Sequence, residues 1–187
     1  MSKTIESLQN YIPYDMQEEK DKTFFIKCEQ KEQILTRDNE TCHLTSSAFI
    51  INKSWNKVLC IHHNIYNSWT WVGGHADGDD DMLFVAKKET KEETSLQNFN
   101  VISEAPIAID SLPVKGHIKR GKYIPAHIHL NFTYLFEADE SELISIKEDE
   151  NSNICWLTFE ELLEKSSEDY MIPAFKKVIE KINKMKK

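Results

Sequence analysis

Three glutamates, Glu89, Glu92 and Glu93, stand at i, i+3 and i+4 in the stretch Lys88-Glu-Thr-Lys-Glu-Glu. On a helix these positions share one face, with roughly 5–6 Å between neighbouring Cβ atoms. Like charges so placed repel, at a few tenths of a kcal/mol per pair. A sequence carries that cost on a solvated surface or offsets it with a divalent cation. Mg2+ is hard, takes oxygen ligands and keeps several of its waters. Clustered carboxylates that leave room for water and a substrate phosphate suit it, with Mn2+ as the alternative ion. Taken alone, however, a glutamate-rich helix with nearby lysines is an ordinary solvated face.

The surroundings of the three glutamates change that reading. In order, the chain runs Gly74-x5-Asp80-x7-Lys88-Glu89-x2-Glu92-Glu93-x-Ser95-Leu96, preceded by Trp71-Val-Gly73-Gly74-His75. This resembles the box of the Nudix hydrolases, G-x5-E-x7-R-E-U-x-E-E-x-G-U, with every spacing kept. The flanks are similar too, with strands on both sides of the box and a Cys155-Trp-Leu then Phe159-Glu-Glu-Leu ending. The resemblance runs from about residue 41 to 185. It implies an α/β (α+β) fold, the Nudix α/β/α sandwich with a mixed sheet, and hydrolysis of a nucleoside diphosphate linked to another moiety. It also implies Glu92 and Glu93 as principal metal ligands, with Glu89 a further ligand or the base that takes a proton from water. Gly73 and Gly74 stand at the family's glycine pair. The carbonyl of Gly74 is a candidate ligand, because glycine permits close approach. Lys88 would orient Glu89 or the start of the acidic loop, and Asp80 would touch the metal through water or brace that loop.

Four positions depart from the pattern. Asp80 is one methylene shorter than the family's glutamate. Lys88 lacks the planar two-pronged grip of arginine on a carboxylate. Thr90 replaces an apolar residue. Ser95 replaces the helix-ending glycine, and a left-handed backbone there would cost serine roughly 1–2 kcal/mol. These changes motivate a second reading, a catalytically weak or inactive domain that binds a nucleotide or a partner protein. In that case the N-terminal helices would be the interaction element or a dimer arm. A third class, an isoprenoid-diphosphate isomerase, would need an activated cysteine in the cleft, whereas Cys60 and Cys155 read as strand core. Pro113 lies one place from where ADP-ribose-type members carry proline. The Ser-Gln-Pro-Trp motif of NADH-type members is absent, as is a tyrosine placed as in diadenosine-polyphosphate members. A nucleotide sugar or dinucleotide is the preferred substrate class.

The elements around the box follow from periodicity. Residues 1 to about 35 read as two helices interrupted by Pro13, with Ile5, Leu8 and Ile12 spaced for one face. This N-terminal helical extension (residues 1–40) precedes a Nudix-type domain over residues 41–187. Residues 45–51 and 57–62 read as strands joined by a turn at Asn52–Asn56. Residues 82–94 carry no Gly or Pro and read as a helix. Ile107–Ile109, Ile124–Phe136 and Ile154–Leu157 suggest strands, and Phe159–Leu163 a short helix. Residues 170–185 close the chain as an amphipathic helix with Phe175, Val178, Ile179 and Ile182 on one side.

Other side chains have plainer readings beside any functional one. His127 and His129 alternate on a strand and share a face. With His62 and His63 they could hold a transition metal, although histidines lining a sheet or cleft are the commoner case. His75 lies beside the box, near a substrate's path. Trp69, Trp71, Tyr123 and Phe132 could stack a base, but packing explains each more simply. Asp77, Asp79 and Asp81 read as a solvated loop and helix cap.

The net charge of −8 argues against a nucleic acid duplex as partner. It does not exclude a small phosphate-bearing substrate, since a bound cation reverses the local sign. The four cysteines form no C-x-x-C pair and read as reduced thiols. No apolar signal core or membrane-length stretch is present. The expectation is a cytoplasmic enzyme of a small nucleoside diphosphate derivative, with no membrane partner and a homodimer left open.

Overall fold

A computed structural model describes every residue except Met1, Glu32, Arg120, Glu148, Glu150 and Lys187. In chain order the elements are α1 (Lys3–Asn10), α2 (Met16–Lys31), β1 (Cys42–Asn52), β2 (Lys57–His63), β3 (Ser68–Thr70), β4 (Val72–His75) and α3 (Met82–Thr94). There follow β5 (Asn100–Val101), β6 (Ala108–Val114), β7 (His117–Lys119), β8 (Lys122–Ile124), β9 (His127–Ala138), β10 (Asn151–Thr158), α4 (Phe159–Lys165) and α5 (Ile172–Met185).

β1 is buried along its whole length, as expected of a strand covered on both faces. It runs parallel to β9, from Cys42 opposite Ile128 to Asn52 opposite Ala138. Its other edge pairs antiparallel with β2 and β4. β3 and β10 extend the sheet from β2, while β5 and β6 pair with β9. The result is a mixed eight-stranded sheet, with β7 and β8 forming a separate hairpin. Strand alternation sends Leu44, Ala48 and Ile50 to one face, where they pack with Leu8, Phe25, Met82, Val85 and Ala86 from α1, α2 and α3. Phe49 and Ile51 point to the other face, against Phe159, Leu162, Phe175, Val178 and Ile182 of α4 and α5. Helices therefore cover both faces, the α/β/α sandwich that the box implied.

Three boundaries differ from the sequence expectation, two of them because of a proline. α1 stops at Asn10, so Ile12 is exposed and Tyr11 turns inward instead; the residue before a proline is pushed out of helical geometry. α2 ends at Lys31 rather than Leu35. The stretch from Ile124 to Phe136 divides into β8 and β9 around Pro125, which has no N–H for a ladder.

α3 begins as the sequence suggests. The Asp81 side chain accepts the Phe84 N–H at 2.9 Å, satisfying one orphan donor of the first turn. Thr90, at an apolar position of the family pattern, is buried and donates its hydroxyl to the Ala86 carbonyl at 2.8 Å. The helix ends on Ser95 with φ 57° and ψ 5°, a left-handed cap. Ser95 is exposed, and its hydroxyl pairs with that of Ser145 at 2.6 Å. Ser95→Gly removes the left-handed strain at the expense of that exposed bond and some unfolded-state entropy. We expect a net gain of about 1 kcal/mol, seen as a melting temperature about 2–4 °C higher. An unchanged or lower value would contradict this account of the cap.

Candidate active site

The box folds as strand, loop and helix, which aims the acidic face of α3 at the glycine pair of β4. Gly73 and Gly74 pair with Ser47 and Ser46 of β1, fixing β4 in the sheet. A side chain at Gly74 would occupy space already taken by Glu89: a Cβ there would lie 2.3 Å from the Glu89 carboxyl carbon. Glycine is required for this close approach. Glu93 is buried, and its carboxylate accepts the Gly73 N–H at 3.0 Å and the Asn151 side-chain amide at 3.3 Å. Glu92 is exposed on the same face of the helix. All three glutamates, with Gly73, Gly74 and Lys88, line one cleft of about 400 Å3, within the usual range for a small-molecule site.

The cleft floor is polar because of strand register. Thr45 and Ser47 of β1 both donate their hydroxyls to the side-chain Oδ1 of Asn131 at 2.9 Å, and the Asn131 Nδ2 donates to the Thr133 hydroxyl at 3.0 Å. On the same face of β1, Phe49 and Ile51 are core. One sheet face is thus apolar at one end and a polar, cleft-lining surface at the other.

The other sequence candidates separate in space. Asp80 is not among the residues lining the cleft. Its carboxylate accepts the Lys3 backbone N–H at 3.1 Å and its carbonyl accepts the Thr4 hydroxyl at 2.8 Å, so it braces the loop against α1. Asp77 does line the cleft. Arg37 grips its carboxylate through Nε at 2.8 Å and through Nη2. That guanidinium holds the Asp77 carboxyl below its usual range against the opposing effect of burial, and the charge of Lys88 adds to it. Trp71 lines the cleft, whereas Phe132 is core and Tyr123 is exposed. His62 turns away to Ser152 and Trp69. Neither Cys60 nor Cys155 lines the cleft, and burial pushes both thiols up, away from the activated thiolate an isomerase would need.

Sequence reasoning missed Arg37, Asn151, Tyr66 and Tyr170. The tyrosines line the cleft, and Asn151 holds Glu93 from a strand that begins 58 residues later. None carries a local signal, since each becomes relevant only through long-range pairing.

The donor set fits a hard divalent cation: three carboxylates on one helix face, and a glycine strand open enough for its backbone to come close. Gly74→Ala tests the close approach. The new methyl meets the movable end of Glu89, so the fold should survive while the carboxylate is displaced. A displacement of this size is expected to lower turnover by about 100-fold, with the melting temperature nearly unchanged. At Gly73 a methyl would meet the Ser46 carbonyl at 2.8 Å and the Ser47 Cα at 2.9 Å, so Gly73→Ala should instead lose stability. Equal loss of stability in the two variants would remove the distinction.

Among solved structures, the fold is similar to the Ap4A hydrolase of C. elegans, with TM-score 0.55 and 18% identity over 76% of this chain and 96% of that one. A NUDIX-family hydrolase from Clostridium perfringens gives TM-score 0.53 and 21% identity, covering 76% and 97%. The E. coli dihydroneopterin triphosphate pyrophosphohydrolase gives TM-score 0.55 and 12% identity, covering 73% and 94%. No curated protein matches the chain. The NUDIX domain model matches residues 41–178, a span that contains the whole box and the strands that seat it, and the chain belongs to the Nudix hydrolase family.

Proposed function

We propose that this Nudix hydrolase cleaves a phosphoanhydride bond in a nucleoside diphosphate linked to another moiety, with Mg2+ as its preferred ion and Mn2+ as a substitute. The observation that carries this reading is the gathering of Glu89, Glu92 and Glu93 at Gly73–Gly74 in one cleft. When bound, the cation neutralises phosphate oxygens and lowers the pKa of a coordinated water. Glu92, Glu93 and the Gly74 carbonyl would hold it. Glu93 is the rigid member, because the Gly73 N–H and the Asn151 amide fix both of its oxygens. Glu89, seated against Gly74, is a further ligand or the base that takes a proton from the attacking water. Lys88 supplies positive charge beside the phosphate-facing wall. Asp80 acts on the loop, through its contacts with α1. Trp71, Tyr66 and Tyr170 give the cleft flat apolar surfaces for a base or a second ring.

A nucleotide sugar or dinucleotide suits a cleft with aromatic rims and a carboxylate-lined end. The names of two similar structures, an Ap4A hydrolase and a dihydroneopterin triphosphate pyrophosphohydrolase, refer to compounds of the same polyphosphate chemistry. Among the described residues no helix is long and apolar enough to cross a membrane, and no disulfide links the four cysteines, in keeping with a cytoplasmic setting. The test is a panel of nucleoside diphosphate sugars, dinucleoside polyphosphates and nucleoside triphosphates with Mg2+, separating the nucleotide and phosphate-ester products by anion-exchange chromatography for wild type and Glu93→Gln. Tight nucleotide binding without turnover in wild type would favour the binding-domain reading instead.

A further inference from the structure

Four histidines meet in the wall of the cleft, brought there by three strands. His43 of β1 lies opposite His129 of β9 in the parallel register. His75 of β4 lies opposite Thr45, the next residue on the same face of β1 as His43. Ring centroids are 5.1 Å apart for His43 and His75, 5.0 Å for His43 and His129, and 4.9 Å for His75 and His129. One ring nitrogen from each of these three lies within 4.8 Å of the other two. His127 adjoins them, with its Nε2 3.2 Å from the Nε2 of His129. All four line the cleft.

Packing alone does not account for this cluster. His43 is only 4% exposed, yet its Nε2 has no hydrogen-bond partner. A buried polar atom without a partner is costly and calls for an explanation. The other nitrogen, Nδ1, donates to the Asn39 carbonyl at 3.0 Å, which leaves the Nε2 lone pair bare. His127 is held the same way, with Nδ1 donating to the Pro125 carbonyl at 2.8 Å. A backbone carbonyl on one ring nitrogen is the usual way a metal-binding histidine is oriented.

We propose that His43, His75 and His129 form a second cation site, for a borderline transition metal with Zn2+ as the best fit. Imidazole nitrogen suits zinc, copper, iron or nickel, whereas the carboxylates of α3 suit Mg2+. Metal–nitrogen bonds of about 2.0–2.1 Å place tetrahedral ligands roughly 3.3 Å apart, so small ring rotations close the present spacing. Three ligands would leave one coordination position of a tetrahedral ion, and all three side chains line the cleft. The pattern is that of a zinc ion which keeps a position for water or substrate. The proposal does not depend on the hydrolase reading, because none of its three donors is a carboxylate of the box.

The test uses the full chain stripped of metal. One equivalent of Co2+ should produce the visible absorption of a tetrahedral nitrogen-ligated site, bleached by Zn2+ and unaffected by excess Mg2+. His75→Gln and His129→Asn should each weaken Zn2+ binding by about 100-fold or more, since loss of a mere supporting contact already costs about 10–100-fold. His75 is half-buried, so its variant keeps the fold, as circular dichroism will verify. Glu92→Gln should leave the Co2+ spectrum intact while impairing Mg2+-supported hydrolysis, which separates the two sites. Absence of the Co2+ spectrum in wild type, or equal Zn2+ affinity in wild type and both histidine variants, would overturn the proposal.

Discussion

Glu93→Gln is expected to lower Mg2+-supported turnover on the order of 1,000-fold while leaving the protein folded. Glutamine has the same shape but no charge. Its carbonyl can still accept the Gly73 N–H, now made to Glu93 at 3.0 Å. Its amide would then face the Asn151 amide, which presently donates to Glu93 at 3.3 Å. Asn151 can resolve that conflict by rotating its side chain, because its own buried Oδ1 has no partner and would accept the new N–H. The cost to stability should therefore stay within about 1 kcal/mol. The catalytic loss has a different origin. A divalent ion at a phosphoanhydride supplies several kcal/mol of charge stabilisation, and about 4 kcal/mol corresponds to 1,000-fold. Nucleoside monophosphate formation measured across a Mg2+ titration, beside a thermal melt, separates the two effects. Turnover within tenfold of wild type would exclude Glu93 as a principal ligand.

The largest effect on stability is expected from Glu18→Ala, far from the cleft. Glu18 is fully buried. Its carboxylate accepts from the Tyr11 hydroxyl at 2.6 Å, the Tyr14 N–H at 2.7 Å and the Lys181 ammonium at 2.6 Å, and Lys177 lies 3.3 Å away. Lys177 also donates to Asp110 at 2.6 Å. This network binds α2 to α5 and β6. Removing Glu18 takes the carboxylate partner from the Lys181 ammonium and leaves Lys177 with Asp110. Breaking a buried ion pair from one side typically costs about 3–5 kcal/mol, a large part of a domain's total stability. The melting temperature should fall by about 10 °C.

The same network gives a pH signature. Burial alone would raise the Glu18 carboxyl, but Lys181, Tyr11, the Tyr14 N–H and Lys177 together hold it below its usual value of 4.5. A carboxyl lowered in the folded state stabilises above its unfolded pKa and loses that contribution as pH falls. The gap between wild type and Glu18→Ala should therefore narrow below pH 4.5, as wild type loses what the variant already lacks. Asp110 has the opposite sign. Burial pushes it up to about 6 despite Lys177, so its contribution is present at low pH and declines as pH rises through about 6. Both proteins carry Asp110, but the Glu18 charge contributes to its rise, so Asp110 titrates at lower pH in the variant. Melts from pH 3.5 to 8 would read this directly. A gap that stays constant across the range would show that Glu18 acts by shape alone.

Local features were legible because they depend on residues within a turn or two. The i, i+3, i+4 spacing put Glu89, Glu92 and Glu93 on one helix face, the Asp81 cap and the serine in the glycine place marked the ends of α3, and alternation marked β1 and β2. The register from Gly74 to Leu96 made the family recognisable without any coordinates. Chain folding decided the rest. Asp80 belongs to the box by spacing, but the first turn of α1 takes it, and nothing near Asp80 announces Lys3. Asn151 reaches Glu93, and Arg37 reaches Asp77, only because β10 and the segment before β1 end beside the cleft. His127 and His129 were recognisable as a pair, yet their partners are His43 and His75 rather than His62 and His63. That choice rests on β1 and β9 running parallel in one register, and a slip of one residue would turn every side chain to the other face. The sequence alone offered Glu89, Glu92, Glu93 and the pair His127 and His129 as candidate cation ligands; the long-range strand pairing brought His43 and His75 to that pair, because side-chain spacing is local and register is not.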